Sequence, residues 1–423
     1  MGEASGLGKA DVSLAQSGED GASATATPLA RPEGVALDRS RSRLFVADTG
    51  NGLVRYADEA TGIMRTVAGS LASATAPSAT PTPATEVALQ RPVGLAVDSQ
   101  NNELFVADRG RGELLRVQMD PDPDVLSVVL GGTDVERPST VGFHDFRFGP
   151  RILFALDLGG EGTTQATPRP ALRVVDLDAS PVAHTTIGAG AGCDFRILYD
   201  FCLRELATGE VELYVAADVG DDFEEYTYGG APNIEDMFEV DCHDGLDNDG
   251  DGKYDSDDPD CREPLNFRVL RFRFSANGPG VATGVPIPCS PEILVRCHKK
   301  FPVVGINSMS CGSHGAGVSQ VEFPGLVVEA ITVDADGRLY FVNSFDGTIE
   351  FVDFDASSGI AAQGVLVGSS SLLARPFDGQ DPRVTRMNRP RDFLIDRWNN
   401  LYIADTVHNR IRRTWVGGIM QSQ

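Results

Sequence analysis

The chain has 423 residues and a formal net charge of -25, which makes nucleic acid and anionic membrane surfaces poor partners. Glycine is abundant (46 residues) and aromatic residues are few (7%), a balance that suits many short strands joined by tight turns. No run approaches the roughly 18 uninterrupted apolar residues that a spanning helix needs, so no transmembrane segment is expected.

In chain order, residues 1–6 lack the basic and apolar regions of an export signal. Residues 11–16 read as an isolated strand, followed by a loop that ends at Pro32. A phrase then begins to recur: Leu-x-Arg-Pro, about a dozen residues, then Leu-Phe-Val-Ala-Asp. It occupies residues 29–48 and 89–108, with a looser copy at 387–405. Such self-similarity specifies one small sheet repeated around an axis. Aligned on the residue that ends the second strand, the copies fall at Asp48, Asp108, Asp157, Asp218, Asn343 and Asp405. In the first copy we expect an inner strand at 34–38, then strands at 43–48, 53–57 and 64–68. Gly50, Asn51 and Gly52 supply the turn between the second and third. The inner runs are almost continuously apolar, as strands buried on both faces are.

The expected fold is therefore all-β: a six-bladed β-propeller of four-stranded antiparallel blades over residues 10–423, with seven blades as the alternative. The last copy stops after a third strand at 410–416. Residues 11–16 are expected to complete that blade, which closes the ring and removes an exposed edge.

The interval between Asp218 and Asn343 is about twice the others. Its first part, an inserted module at 222–264, contains a dense acidic run between Cys242 and Cys261. Counted from Asp247, the spacing is that of a twelve-residue calcium loop. Asp247, Asp249 and Asp251 take the first three ligand positions, and Gly252 the sharp turn. Lys253 offers its carbonyl, and Asp255 and Asp258 complete the set. Hard oxygen ligands at this density select Ca²⁺ over zinc or copper. The plainer alternative is a solvated acidic loop. Bridging Cys242 to Cys261 would constrain it by about 3 kcal/mol. Residues 267–274 alternate well and read as the third strand of blade four, so the acidic loop interrupts the turn before it. The second part, 275–324, is expected as a Cys-containing long loop, tied by disulfides in preference to a zinc site. A degenerate seventh blade at 293–296 and 301–304 is the alternative.

All seven cysteines lie between Cys193 and Cys311, and Cys193/Cys202, Cys242/Cys261 and Cys289/Cys297 form short-range pairs. Read as disulfides they require an oxidising compartment: extracellular, periplasmic or cell surface. The export signal is then expected to lie outside this sequence, and one thiol is left over.

The phrase Pro-x-Gly-Val/Leu-Ala-Val/Leu-Asp followed by Leu-Phe-Val-Ala-Asp-x-Gly, at 32–50 and 92–110, resembles the NHL-repeat family of β-propellers. Residues 405–411, Asp-Thr-Val-His-Asn-Arg-Ile, are similar to the segment that names it. The resemblance implies a propeller. Enzymes on similar propellers include lactone hydrolases and lyases that use an axial metal held by acidic or histidine side chains. The segment 242–261 resembles Cys-flanked Asp-rich modules of secreted bacterial proteins, and Asp258 in the last ligand position resembles dockerin-type loops.

Arg31, Arg91, Arg137 and Arg389 each precede an inner strand and are expected near the axis on the loop-rich face. They could form an anion-binding ring. The alternative is pairing with Asp48, Asp108, Asp157 and Asp405, because a feature repeated in every copy is usually architectural. The inner-strand starts read Glu33-Gly34, Val93-Gly94, Ser139-Thr140, Glu329-Ala330 and Arg391-Asp392. These are mostly small or mixed, which favours binding over catalysis. His144 could face the axis in the third copy, but no histidine recurs at one repeat position. The expectation is a secreted or cell-surface binding protein with a calcium loop, taking a protein, peptide or carbohydrate on its loop-rich face. The alternative is a metal-dependent hydrolase or lyase at the axial pocket, with Glu33, Glu329 or Asp392 on the metal. No catalytic residue is assigned.

Overall fold

The structure is a computed structural model describing residues 5–6, 20–72, 75–120, 123–159, 170–187, 195–219, 267–283, 285–288, 291–300, 308–312, 321–324, 328–334, 336–343, 347–355, 359–369, 382–396 and 398–415. Six antiparallel sheets follow one another around a ring. Blade one shows how closely pattern dictates element: its strands are Pro32–Asp38, Arg43–Asp48, Leu53–Asp58 and Ile63–Ala68, hydrogen-bonded in that order. Blades two, three, four, five and six start at Pro92, Pro138, Phe195, Val328 and Pro390. The inner strands meet in cyclic order, blade six against blade one.

Packing explains the ring. Each second strand is almost wholly buried, as in Leu44, Phe45, Val46 and Ala47. Its alternate side chains point to the blade before and the blade after. Phe45 and Ala47 thus join a cluster with Leu104 and Val106 of blade two, while Leu44 and Val46 join Tyr402 and Ala404 of blade six. Among the described residues six such clusters occur, one at each blade-to-blade junction. No single core exists; stability is shared between neighbours, as in other repeat architectures.

The N-terminus meets the last blade. Ser5–Gly6 pairs antiparallel with Arg410–Trp415, Ser5 opposite Arg413 and Gly6 opposite Arg412. The strand expected to close the ring, 11–16, lies outside the described residues.

Blade four departs from the pattern. Val211–Val219 pairs with Phe267–Phe274 as expected. The segment expected as a long loop at 275–324 instead carries three strands, Glu292–Lys300, Ser308–Gly312 and Val321–Pro324. They extend the sheet to six strands, so residues 293–296 form the fourth strand of this blade and not part of a seventh. The cause is local: Phe267–Phe274 alternates cleanly and presents a second edge for pairing. In this register Cys297 stands opposite Cys311. The acidic loop with Cys242, Cys261 and its six expected ligands, and also Cys193 and Cys289, lie outside the described residues. Cys202 is a free thiol in the inner strand of blade four, packed against the junction with blade five. That placement corrects the expected Cys193/Cys202 pair: the strand's alternation turns Cys202 into an apolar junction.

Candidate functional site

Every inner strand starts with the same irregularity. Its register against the second strand shifts by one residue just after the start, between Pro32 and Gly34, Pro92 and Gly94, Leu198 and Asp200, and Pro390 and Asp392. Blades three and five shift between Pro138 and Val141 and between Val328 and Ile331. An extra residue in one strand bends it and re-aims a side chain. Six bulges in register therefore build two rings at the axis. The outer ring is Glu33, Val93, Ser139, Tyr199, Glu329 and Arg391. The inner ring is Gly34, Gly94, Thr140, Asp200, Ala330 and Asp392.

The inner ring joins neighbours. At Gly34 an added Cβ would overlap the Val93 carbonyl oxygen, and at Gly94 that of Ser139. Only glycine permits so close a backbone approach. Blades four and six use carboxyl groups at this level. Asp200 accepts from the Ile331 N–H at 2.7 Å and from Thr140 Oγ1 at 2.6 Å, joining blades three, four and five. Asp392 accepts from the Val35 N–H at 2.8 Å and from the Phe393 N–H at 2.7 Å, joining blade six to blade one.

The outer ring is charged. Glu33 is buried and lies 3.5 Å from Arg91 and 3.9 Å from Arg31. Burial alone would raise its carboxyl, but Arg391, Arg91, Arg109 and Arg31 together hold it below the usual carboxylate range. Glu329 pairs with Arg391 at 3.2 Å. Beneath this layer the balance reverses. Burial pushes Asp200 up to about 7 against its hydrogen bonds, helped by the Glu329 charge. Burial, and then the neighbouring Asp200, push Asp392 well above its ordinary value. The Cys202 thiol is raised by burial and by Asp200.

Both layers line an axial cavity of about 180 Å³. Ser139 lines it as well; its Oγ is buried and has no hydrogen-bond partner. A buried hydroxyl without a partner is costly, and it marks where a ligand or water belongs. The cavity itself has room for only a few atoms of a ligand. It can offer hydrogen-bond donors from arginine and serine, in a setting of low dielectric.

Of the four arginines singled out from the sequence, two meet at Glu33. Arg91 reaches Glu33, while Arg31 is largely exposed and gives its N–H to Asn409 at 2.7 Å. Arg137 gives its N–H to Asp157 at 2.9 Å, and Arg389 has φ 47° at the entry to blade six. The strand-end aspartates bind backbone at the blade entry. They accept N–H groups from the loop that enters their own blade: Ala30 to Asp48, Gln90 and Arg91 to Asp108, Asn388 to Asp405. Their guanidinium partners stand on or beside the third strand, as with Arg173 on Asp157 and Arg412 on Asp405. His408 adds a contact to Asp405 at 2.9 Å. His144 is half-buried, with its ring edge-on to Phe146.

Sequence reasoning missed Arg109, Asp200 and Cys202. Arg109 follows Asp108 in the position held by Thr49 and Thr406 in blades one and six. Those threonines donate to the carbonyls of Pro92 and Pro32 at 2.6 and 2.7 Å. The break from Asp-Thr to Asp-Arg was the available signal. Asp200 was hidden because blade four lacks the Pro-x-Gly start.

The family described as NHL repeat matches residues 89–116, one copy in blade two. No curated protein matches the chain. Among solved structures, an auxiliary nutrient binding protein from Bacteroides thetaiotaomicron VPI-5482 aligns with TM-score 0.53 at 10% identity, over 98% of this chain and 76% of that one. Kuenenia stuttgartiensis hydrazine synthase aligns with TM-score 0.50 at 10% identity, over 95% and 98%. A putative phosphatase from Bacteroides thetaiotaomicron VPI-5482 aligns with TM-score 0.50 at 12% identity, over 98% and 78%. Identities this low speak to fold alone. The matched repeat and the six-bladed ring together support an NHL-type β-propeller.

Proposed function

We propose that this is an exported or cell-surface propeller that acts as a binding module. Its ligand, a protein, peptide or carbohydrate group, seats over the axial pocket on the face where the inner strands begin. A calcium loop at 242–261 braces blade four. The observation that carries the reading is the commitment of every axial acid. Glu33 and Glu329 are engaged by arginines, and Asp200 and Asp392 by backbone N–H groups of the next blade. Among the described residues no three His, Cys, Asp or Glu side chains converge to hold a metal ion. The residues named for an axial metal, Glu33, Glu329 and Asp392, each have such a partner instead, which supports the binding reading. Loop-borne recognition over a rigid ring needs no such convergence.

The calcium part rests on the spacing of Asp247, Asp249, Asp251, Lys253, Asp255 and Asp258. Calorimetric titration of the oxidised protein should give one calcium site that Asp247→Ala abolishes. No heat from the intact protein would remove the calcium proposal and leave the binding reading in place.

One observation favours the second reading, a hydrolase or lyase. A buried carboxyl near pH 7, such as Asp200, is suited to general base work beside Ser139 and Cys202. Turnover lost in Asp200→Asn with folding intact would move the assignment to an enzyme.

A further inference from the structure

We propose that the axial cavity binds a small organic monocarboxylate, with its carboxylate against Arg109 and Arg391 and an acceptor oxygen at the Ser139 hydroxyl. The inference rests on reading the axial pocket as a ligand site, and it names the ligand's chemistry.

Charge comes first. The buried outer layer sets three guanidinium groups, Arg91, Arg109 and Arg391, against two carboxylates, Glu33 and Glu329. Burial and the neighbouring Asp200 raise the carboxyl of Asp392, directly below. The axis is thus a positive island in a chain of net charge -25. Such a focus draws small anions from solution in preference to cations. Within this upper layer, with Asp200 and Asp392 left aside, the excess is one unit. It matches a monoanion, whereas a dianionic phosphate would over-neutralise it and crowd Glu33 and Glu329.

Donors come second. Arg109 lines the cavity at the position where Thr49 and Thr406 sew blades one and six to their neighbours. Placing a guanidinium there exchanges an architectural hydroxyl for a charged fork, the geometry that grips a carboxylate. Ser139 Oγ, buried without a partner, adds a neutral donor across the same cavity. Arg391 lines the same cavity and brings a second guanidinium to it. A ligand rich in acceptors, with one negative charge and only a few heavy atoms, satisfies all three.

The test uses the full-length protein with acetate, glycolate and lactate, their amides (acetamide, glycolamide and lactamide), inorganic phosphate and a set of uncharged fragments. Thermal shift and calorimetry are the readouts. The carboxylates should bind at least tenfold more tightly than the matching amides and than phosphate. Arg109→Thr, which restores the residue found in blades one and six, should cost at least tenfold in carboxylate affinity with the β-sheet circular dichroism signal retained. Ser139→Ala should cost a few-fold. Binding of amides or phosphate as well as carboxylates would overturn the ligand class while the pocket reading survives. Carboxylate binding that Arg109→Thr does not alter would also overturn the proposal, because the site would lie elsewhere. If neither the panel nor the fragments bind, both the proposal and the pocket reading fall.

Discussion

Blades one and two make their axial junctions with glycine; blades four and six make the equivalent junctions with aspartic acid. At Gly34 and Gly94 the next blade's carbonyl oxygen comes within the space of a missing side chain. At Asp200 and Asp392 the next blade stands off, and its N–H reaches the carboxyl. The first solution is close-packed and inert. The second carries ionisable carboxyl groups, and it places them in the cavity. One backbone geometry thus yields two kinds of junction.

The strongest way to break that contrast is to give blade two a side chain. Gly94→Ala sets a Cβ against the backbone of Ser139, which no rotamer change can relieve. The expected cost is about 3 kcal/mol, read as a fall in the urea midpoint. Blade five already has alanine at this level, so Ala330→Gly should cost under about 1 kcal/mol, a backbone-entropy effect. Equal effects at the two sites would show that the inner ring is not tighter at blade two.

The same contrast explains what could be read before the fold was known. Pro-x-Gly followed by Leu-Phe-Val-Ala-Asp was legible because each residue answers a backbone demand: fixed entry, close approach, burial on both faces. Strand limits in blade one came out within a residue or two for that reason. Glu33, Ser139, Glu329, Arg391 and Asp392 were picked out as axial positions from the same register. Asp200 was not, because an aspartate that accepts an N–H replaces the glycine that defines the phrase. The extra strands of blade four were equally hidden. Strands that add to an edge are specified by the edge they meet and not by a repeat of their own. The acidic loop is the reverse case, legible as a spacing while its residues lie outside the described structure.

A sharper probe separates the two roles of the carboxyl groups. Asparagine at 392 keeps an acceptor for the Val35 N–H; alanine leaves that N–H buried and unpaired. Asp392→Ala should therefore cost about 2 kcal/mol and Asp392→Asn much less. Asp200 adds a pH dependence, because its folded-state value of about 7 lies above its unfolded one. Its contribution to stability is full below about pH 4 and is lost as pH rises through 7. The groups facing it are Asp392, Glu329 and the Cys202 thiol, with Glu33 and the arginines above. Asp200→Asn removes this ionisation. Measured from pH 4 to 8, the melting temperature of the native protein should fall relative to the variant. Parallel curves would mean that Asp200 stays neutral, or stays charged, throughout.

The smallest expected effect tests whether position 109 was released from architecture. Thr49 and Thr406 are buried, and each donates to a proline carbonyl of the following blade. Replacing either by valine keeps the shape and leaves that carbonyl without its donor, at a cost of about 1 kcal/mol. The two junctions lie on opposite sides of blade one and share no partner, so the double variant should lose the sum. Arg109→Thr offers the Ser139 junction of blade three the same kind of hydroxyl that those blades use. If the position still serves the ring, restoring threonine should stabilise the protein by a similar amount. If the cavity has claimed the position, the substitution should instead lower stability, because it removes one of the guanidinium groups that hold the buried Glu33 charged. The place of Arg109 in the cavity lining argues for the second outcome.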